Sequence, residues 1–457
     1  MKTRFQSKHL ENYQYPRKSL PFDFKMALFF GANALLGLLM SRFPTISTLH
    51  VYLTMLVGLW ILLTIKSSYP IIYWMGYVVG SELVWRGMGA NTFWETGKYA
   101  IIIFSVFSML KYKNDYRPNF NLIPYFLLLV PSVMLLPAFD REAIAFALAG
   151  PFALMTASLL FSQVGINRNQ LKNLLLMILA SVLIFSVLVL IGVITADTIE
   201  FGSGSVFETS ANTGPNQASS ILSLGAFAAI LYVVLEKEHK FLQIIVLMIA
   251  LGLITQMLLT FSRGGVWTLV GALIVAGFFI LGDKRFRTAF AITSIMLILA
   301  LNFYIMPALN RYTSGALGAR IADTEATGRV DIVRSDLEVF LENPLFGVGP
   351  GRSNPYHARY YRVSSAHTEF SRMLAEHGSF GAISLLVLLF SLVKIVFQNK
   401  VSMNRAVVAS CFTWGLLFMA HSATRLVAPS FLIGFAFAHF NLAIEADHSN
   451  SQTSGNF

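Results

Sequence analysis

His367 and Glu369, in the run SSAHTEFSRMLAEHGSFG (364–381), are of types that could move a proton. A neutral imidazole can take a proton from a hydroxyl near neutral pH. The run reads as a helix that starts near Ser365 and is C-capped by Gly378, which puts His367 in the first turn. There the positive end of the helix disfavours the imidazolium and keeps the ring neutral, as a general base requires. Residues two apart on a helix do not face each other, so Glu369 is not an obvious direct partner of His367. The competing reading is a surface histidine beside an acid that favours the helix dipole.

This run ends a polar segment, 307–373, that carries eight Arg (311, 320, 329, 334, 352, 359, 362, 372) and no Lys. Guanidinium forks match phosphate or carboxylate bidentately, whereas lysine acts as a point charge. Lys-free Arg richness therefore points to geometric recognition of an oxyanion. The alternative is that these arginines balance the seven local acids Asp323, Glu325, Asp331, Asp336, Glu338, Glu342 and Glu369. Within the segment, 328–343 has apolar residues at 330, 333, 337, 340 and 341, an amphipathic stripe for a helix lying along a membrane surface and stopping at Asn343-Pro344. The glycines 347, 349 and 351 that follow permit tight turns with exposed N–H groups.

Two further polar turns interrupt apolar runs. Arg263, in Ser262-Arg263-Gly264-Gly265, either meets substrate charge or snorkels to the interface. Asn216, in Asn212–Gln217, either caps the following helix or contacts a sugar hydroxyl. There is no HExxH, no CxxC pair and no Walker loop, and His357 and His367 have no evident third ligand, so neither metal nor cofactor is expected. His357, outside the His367 run, is expected to tolerate substitution better than His367.

The elements that must position these residues are membrane helices. The chain has 457 residues, 55% hydrophobic and 12% charged, with mean hydropathy +0.64. A soluble domain carries about 25% charged residues. The fold class expected is an all-α polytopic membrane protein of about 12–14 transmembrane helices with one large external loop containing amphipathic helices. The candidate spans are 26–41, 48–65, 69–86, 97–110, 121–138, 143–162, 173–195, 216–235, 241–260, 264–281, 288–306, 374–397, 406–424 and 427–444. The organisation is then a cytoplasmic tail (1–25), a helical region (26–306), an external loop (307–373), C-terminal helices (374–444) and a second tail (445–457). The formal charge of +11 concentrates in the tail and in loops such as 111–117, 167–172, 236–240, 283–287 and 398–405. By the positive-inside rule these lie inside, and 307–373 lies outside. This charge pattern sets topology, and no nucleic-acid partner is expected. The lone Cys411 excludes an intramolecular disulfide.

In chain order, TGPNQASSILSLG (213–225), LTFSRGGVWTLVGALIV (259–275) and the stretch from Gly328-Arg329 through NPLFGVGPG to AHTEFSRMLAEHGSFG (ending at 381) resemble the O-antigen ligase and polymerase superfamily of bacterial envelope glycosyltransferases. The resemblance implies an inverting, metal-independent transfer of a glycan from undecaprenyl diphosphate to an acceptor hydroxyl, in the bacterial inner membrane, with the site facing the periplasm or exterior. It places the family's histidine on His367, its S-R-G arginine on Arg263 and its loop arginine on Arg329. The arginine that relatives often carry before the Asn turn is missing from SVFETSANTGPN (205–216). Arg352, Arg359 or Arg362 is expected to replace it. The acceptor implied is another glycan, lipid A core or a protein hydroxyl, and other polysaccharide-assembly proteins are candidate partners. The alternatives are a protein O-oligosaccharyltransferase of the same superfamily and a polysaccharide transporter or flippase. A transporter predicts mid-span ionisable residues and internal repeats. The polar residues instead gather at one face.

Overall fold

In a computed structural model the chain is described for residues 21–112, 116–136, 140–196, 198–202, 204–323, 329–357 and 367–442. Four helices open it, α1 (Phe22–Arg42), α2 (Thr45–Thr64), α3 (Tyr69–Gly87) and α4 (Thr96–Lys111). A short α5 (Ile123–Leu127) precedes the long α6 (Arg141–Phe161), α7 (Arg168–Thr195), α8 (Pro215–Leu235), α9 (Lys240–Leu259) and α10 (Arg263–Ile280). Then α11 (Lys284–Ala300) runs through a π turn into α12 (Met306–Tyr312), followed by α13 (Ala316–Ala322), α14 (Arg329–Glu342) and α15 (Ser353–His357). The last helices are α16 (Glu369–Gln398), α17 (Ser402–Ser422) and α18 (Ala428–Phe435). Two three-residue strands, β1 (Gly165–Asn167) and β2 (His439–Asn441), pair in parallel.

Among the described residues ten helices are long and apolar enough to cross a membrane. A helix suits that setting because every interior backbone N–H and C=O is satisfied within it. Two of the fourteen candidate spans are helical over only a short part of their length. In 121–138, Pro124 and Pro131 interrupt the chain, leaving α5 and a 3₁₀ turn at Pro131–Leu135. A proline has no N–H and clashes with the preceding turn. The stretch runs antiparallel to α16, with Ser384 Oγ donating to Tyr125 O (2.6 Å) and His377 Nδ1 bonded to Ser132 Oγ (2.6 Å). In 427–444, α18 lasts only from Ala428 to Phe435 before β2. It follows α6 from Gly150, whose carbonyl accepts from Ser430 Oγ (2.9 Å), to Val164, whose carbonyl accepts from His439 N (3.0 Å). α3 and α4 form as expected but fall outside the ten.

α8 occupies the centre, and its membrane window is entirely buried. Its small residues allow neighbouring backbones to approach closely. A Cβ at Gly265 of α10 would stand 2.3 Å from the carbonyl oxygen of Ser219, so these two helices touch nearly backbone to backbone. Trp414 of α17 donates to Ser223 Oγ of α8 (3.1 Å). The start of α8 is thereby fixed against the start of α10.

α16 is two helices joined at Gly378, which takes φ 61° and ψ −140°. The GVGPG loop crosses at that point, where a Cβ on Gly378 would meet Leu345 O at 2.6 Å. Ser379 N donates across the crossing to Pro344 O (2.7 Å). Gly378 therefore ends one helix and starts the next rather than leading into a loop.

α14 ends at Glu342, close to the expected stop. The side it buries is Ile332, Ser335, Asp336 and Val339. The predicted apolar stripe, with Val330 63% and Leu341 68% exposed, is left on the outside of the protein. The reason is polar: Asp336 accepts from Ser371 Oγ (2.6 Å) and is bonded to His357 Nε2 (2.7 Å), and a buried carboxylate needs such partners.

Candidate active site

Three polar stretches distant in sequence meet at the N-terminal end of α8. The loop before α8 is pinned beneath the α9–α10 turn by Val206 N donating to Thr260 O (3.0 Å) and Thr209 Oγ1 donating to Leu259 O (2.7 Å). Pro215 and Asn216 begin α8 behind Gly214, so Asn216 lies inside the first turn and does not cap it. Its Oδ1 instead accepts from Ser262 Oγ (2.7 Å) and from Arg329 Nη2 (3.0 Å). One side chain thus ties the Asn turn, the S-R-G turn and the loop helix together.

The S-R-G turn has a sharp backbone. Phe261 holds φ 55°, a left-handed conformation costly for a bulky residue, and Ser262 then precedes the first residue of α10, Arg263. Strain of this kind persists where the surroundings enforce it. Here the Phe261 ring stacks on Phe201, centroids 5.3 Å apart, and the Phe261 carbonyl accepts from Arg320 Nε (3.3 Å). Arg263 Nη1 donates to the carbonyl oxygen of Asp323, whose carboxylate accepts from Arg320 Nη1 (2.9 Å). Arg263 therefore turns into the loop, not outward as a snorkelling arginine would.

Arg263, Arg320 and Arg329 are close enough for like charges to oppose one another. Burial lowers the affinity of Arg329 for its proton, and the positive charges of Arg263 and Arg320 lower it further. An arginine remains charged at any physiological pH, so this repulsion is relieved by an anion. Fixed donors of this sort in a partly dehydrated site suit a phosphate or diphosphate.

His421, near the end of α17, forms the other side of the site. Its Nε2 is bonded to Thr268 Oγ1 (3.1 Å). Its ring lies against Gly264, where a Cβ would stand 2.6 Å from Nδ1. The glycine after Arg263 is needed to admit this ring.

His367 is not in the first turn of a helix. α16 starts at Glu369, with Thr368 as N-cap accepting from Ser371 N (3.0 Å), so His367 precedes the cap. The threonine hydroxyl accepts from one first-turn N–H, that of Ser371, which fixes the boundary later than the sequence suggested.

Glu369 points elsewhere. Its two oxygens accept from Arg372 Nη2 (2.6 Å) and Nε (3.1 Å), and also from Thr424 Oγ1 and N (both 3.1 Å). Arg372 continues to Glu376 Oε2 (2.7 Å) and to Ala147 O (3.2 Å). Arg372 therefore spends its donors inside the protein. The structure thus brings Asn216, the S-R-G turn and Arg329 together, and engages Glu369 with Arg372 and Thr424 instead. Arg352 lies on the loop before α15, its N–H donating to Gly349 O (3.3 Å), and no hydrogen bond from its side chain to the arginine group is found among the described residues. Arg359 and Arg362 lie outside the described residues.

Three features of the site were not singled out in the sequence. Arg320 was one of eight arginines, with nothing local to separate it from the rest. His421 was visible as a histidine ending an apolar run on the same side as Ser262. A third feature is a buried cluster in which Arg86 pairs with Glu82 (2.6 Å) and Glu95 with Lys98 (2.5 Å). This cluster holds the loop after α3 against 425–427, through Arg86 Nη1 to Arg425 O (2.6 Å) and Val427 N to Glu82 Oε2 (2.6 Å). Its charges lie near the ends of α3 and α4.

Residues 248–386 match the family model described as O-antigen ligase. No curated protein matches the chain. The matched stretch contains Arg263, Arg320, Arg329 and His367, whereas Asn216 and His421 lie on either side of it. The match agrees with the resemblance carried by the motifs and supports membership of the O-antigen ligase and polymerase superfamily, and so a glycosyltransferase-like ligase or polymerase activity in general.

Proposed function

We propose that the chain transfers a glycan from an undecaprenyl-diphosphate-linked donor to an acceptor hydroxyl during assembly of a bacterial surface polysaccharide. The observation that carries this reading is the gathering of three arginines at the start of α8, with Arg329 and Ser262 both bonded to Asn216 and Arg263 and Arg320 both bonded to Asp323. The donor's diphosphate would lie among the guanidinium groups, and its lipid would remain in the bilayer. The acceptor hydroxyl attacks the anomeric carbon, the bond from that carbon to the phosphate oxygen breaks, and the electron pair leaves with the diphosphate. His367 receives the hydroxyl proton as the new glycosidic bond forms. Attack opposite the leaving group inverts the anomeric centre. The arginines supply the charge neutralisation that a divalent cation would otherwise provide. Arg320 takes the part of the arginine absent before Asn216.

The protein would lie in the inner membrane with this site on the periplasmic or exterior side. A Gly315→Cys probe in a Cys411→Ala background should react with an impermeant thiol reagent in intact cells. Labelling only after permeabilisation would reverse the orientation.

The activity is tested with purified protein and the lipid-linked repeat unit extracted from the source cells, offering glycan, lipid A core and protein acceptors in turn. Product should form with one of them, and should form equally in EDTA. No product with any acceptor would remove the reading, and loss in EDTA restored by Mg²⁺ would remove the arginine mechanism.

A further inference from the structure

A cleft of about 690 Å³ lies beside α6, away from the arginine group. One wall is aromatic, formed by Phe93, Trp94 and Tyr99, and the other is polar, formed by Asp140, Arg141 and Glu142. Gly351, just before α15, and Asn354, within it, also line the cleft. Its volume is in the usual range for a ligand site, about 300–1,000 Å³.

The aromatic wall is built rather than incidental. The Arg86 guanidinium sits over the Trp94 ring at 4.8 Å, and Arg86 Nε donates to Trp94 O (3.1 Å). The Arg141 guanidinium sits over the Phe93 ring at 5.0 Å. Arg86 is itself held by the buried Glu82 (2.6 Å). Phe93 and Trp94 nonetheless remain 63% and 60% exposed, so two large rings are braced while much of their surface stays open.

The cleft chemistry selects among ligands. A lipid tail would take water from the exposed Asp140, Arg141 and Glu142 and offer them no hydrogen bonds in return. A phosphate would meet Glu95, Asp140 and Glu142 against Arg141 alone among the charged groups lining the cleft. A saccharide fits both walls. Its C–H faces lie on aromatic rings, and its hydroxyls, each a donor and an acceptor, can donate to carboxylates and accept from the guanidinium.

The loop that carries Phe93 and Trp94 follows α3, and the end of α3 packs against the turn before Asn216. Gly87, at the end of α3, lies against Thr213 and Ala211, just before Asn216; a Cβ there would stand 2.8 Å from Thr213 Cγ2. Ser353, next to Asn354, bonds Glu376 Oε1 (3.2 Å) of α16.

We infer that this cleft is a saccharide-binding subsite that holds the glycan portion of a substrate while the transfer site acts on its end. The inference rests on the proposed glycosyltransferase reading for which saccharide is bound, and its binding test does not need transfer. Oligosaccharide fragments of the source cells' surface polysaccharide are titrated calorimetrically into the purified full-length protein. Wild type should bind saturably. Trp94→Ala, and more so the Phe93→Ala/Trp94→Ala pair, should weaken binding by about tenfold or more, and Trp94→Phe should retain most of it. Both rings are largely exposed, so their truncation leaves folding intact, which a matched gel-filtration profile checks. The KM of Trp94→Ala for each substrate then separates the two sources of glycan, a rise for the donor or a rise for the acceptor, with kcat little changed. Lost binding in a protein that shows no transfer would uphold the subsite and remove the glycosyltransferase reading alone. Absence of saturable binding by wild type, or binding and both KM values unchanged in the double variant, would overturn the subsite. In that case the rings serve only as interfacial anchors.

Discussion

Arg329 and Arg372 both withdraw a guanidinium from water, and they differ in what surrounds it. Arg372 is enclosed by Glu369 and Glu376, at 2.6 and 2.7 Å, and by a backbone carbonyl. Arg329 bonds a neutral amide, Asn216, and feels Arg263 and Arg320 as like charges. The first arrangement is satisfied within the protein and has nothing to offer a ligand. The second is a set of fixed donors whose mutual repulsion an anion relieves. Within H-x-E…E-H-G, Glu369, Glu376 and His377 are bonded inside the scaffold, His377 to Ser132 and Leu129, and His367 is the member proposed for the site.

The contrast breaks most visibly at Arg372. Arg372→Met leaves two buried carboxylates without their cation, and breaking a buried pair this way costs about 3–5 kcal/mol. The variant should fail to accumulate, or should melt far below wild type in detergent, before any question of activity arises. A variant that accumulates and melts normally would show that the enclosed pair does not hold the fold.

The next effect belongs to the histidines. His367→Ala should insert and melt as wild type does, and lose about 10²–10⁴ in transfer rate, the usual worth of a general base. His357→Ala should show the reverse, with lowered stability, because His357 is fully buried and bonded to Asp336. This revises the expectation that His357 is the more tolerant of the two. Retention by His367→Ala of more than about a tenth of the wild-type rate would make His367 a positioning residue.

At the arginine group, Arg263→Ala should cost about 10²–10³ in rate, as loss of a charge-stabilising donor does. Arg263→Lys should fail nearly as badly, since a lysine keeps the charge but not the fork. A fully active lysine variant at matched membrane level would remove the bidentate role.

The smallest effect expected is at Arg320, which also bonds Asp323 and the Phe261 carbonyl. Arg320→Lys should lower transfer by about tenfold, the loss of a single charged hydrogen bond, with stability little changed. An unchanged rate would reduce the diphosphate contacts to Arg263 and Arg329. Arg352→Lys, by comparison, should leave the rate unchanged.

Sequence by itself determined the class of fold and marked the residues proposed for the site. Apolar runs of sufficient length must be helices in a bilayer, because no other single segment satisfies its own backbone. The ends of α1, α2, α6 and α8 lie within a few residues of where those runs end. Asn216, the S-R-G turn and Arg329, which the structure brings together, were legible because polar residues bounding apolar runs stand out. Tertiary structure alone decided the rest. Prolines and the β1–β2 pairing broke two apparent spans, since apolar composition does not report how a segment is interrupted. The eight arginines of 307–373 are alike in sequence, and only the approach of α8 to α10 across Ser219 and Gly265, with the loop folded over it, distinguishes Arg320 and Arg329 from Arg372. The physical reason is that a charge's role depends on which charges lie within a few ångströms of it. Its other polar partners also come from far along the chain, as the Ala147 carbonyl does for Arg372, 225 positions away.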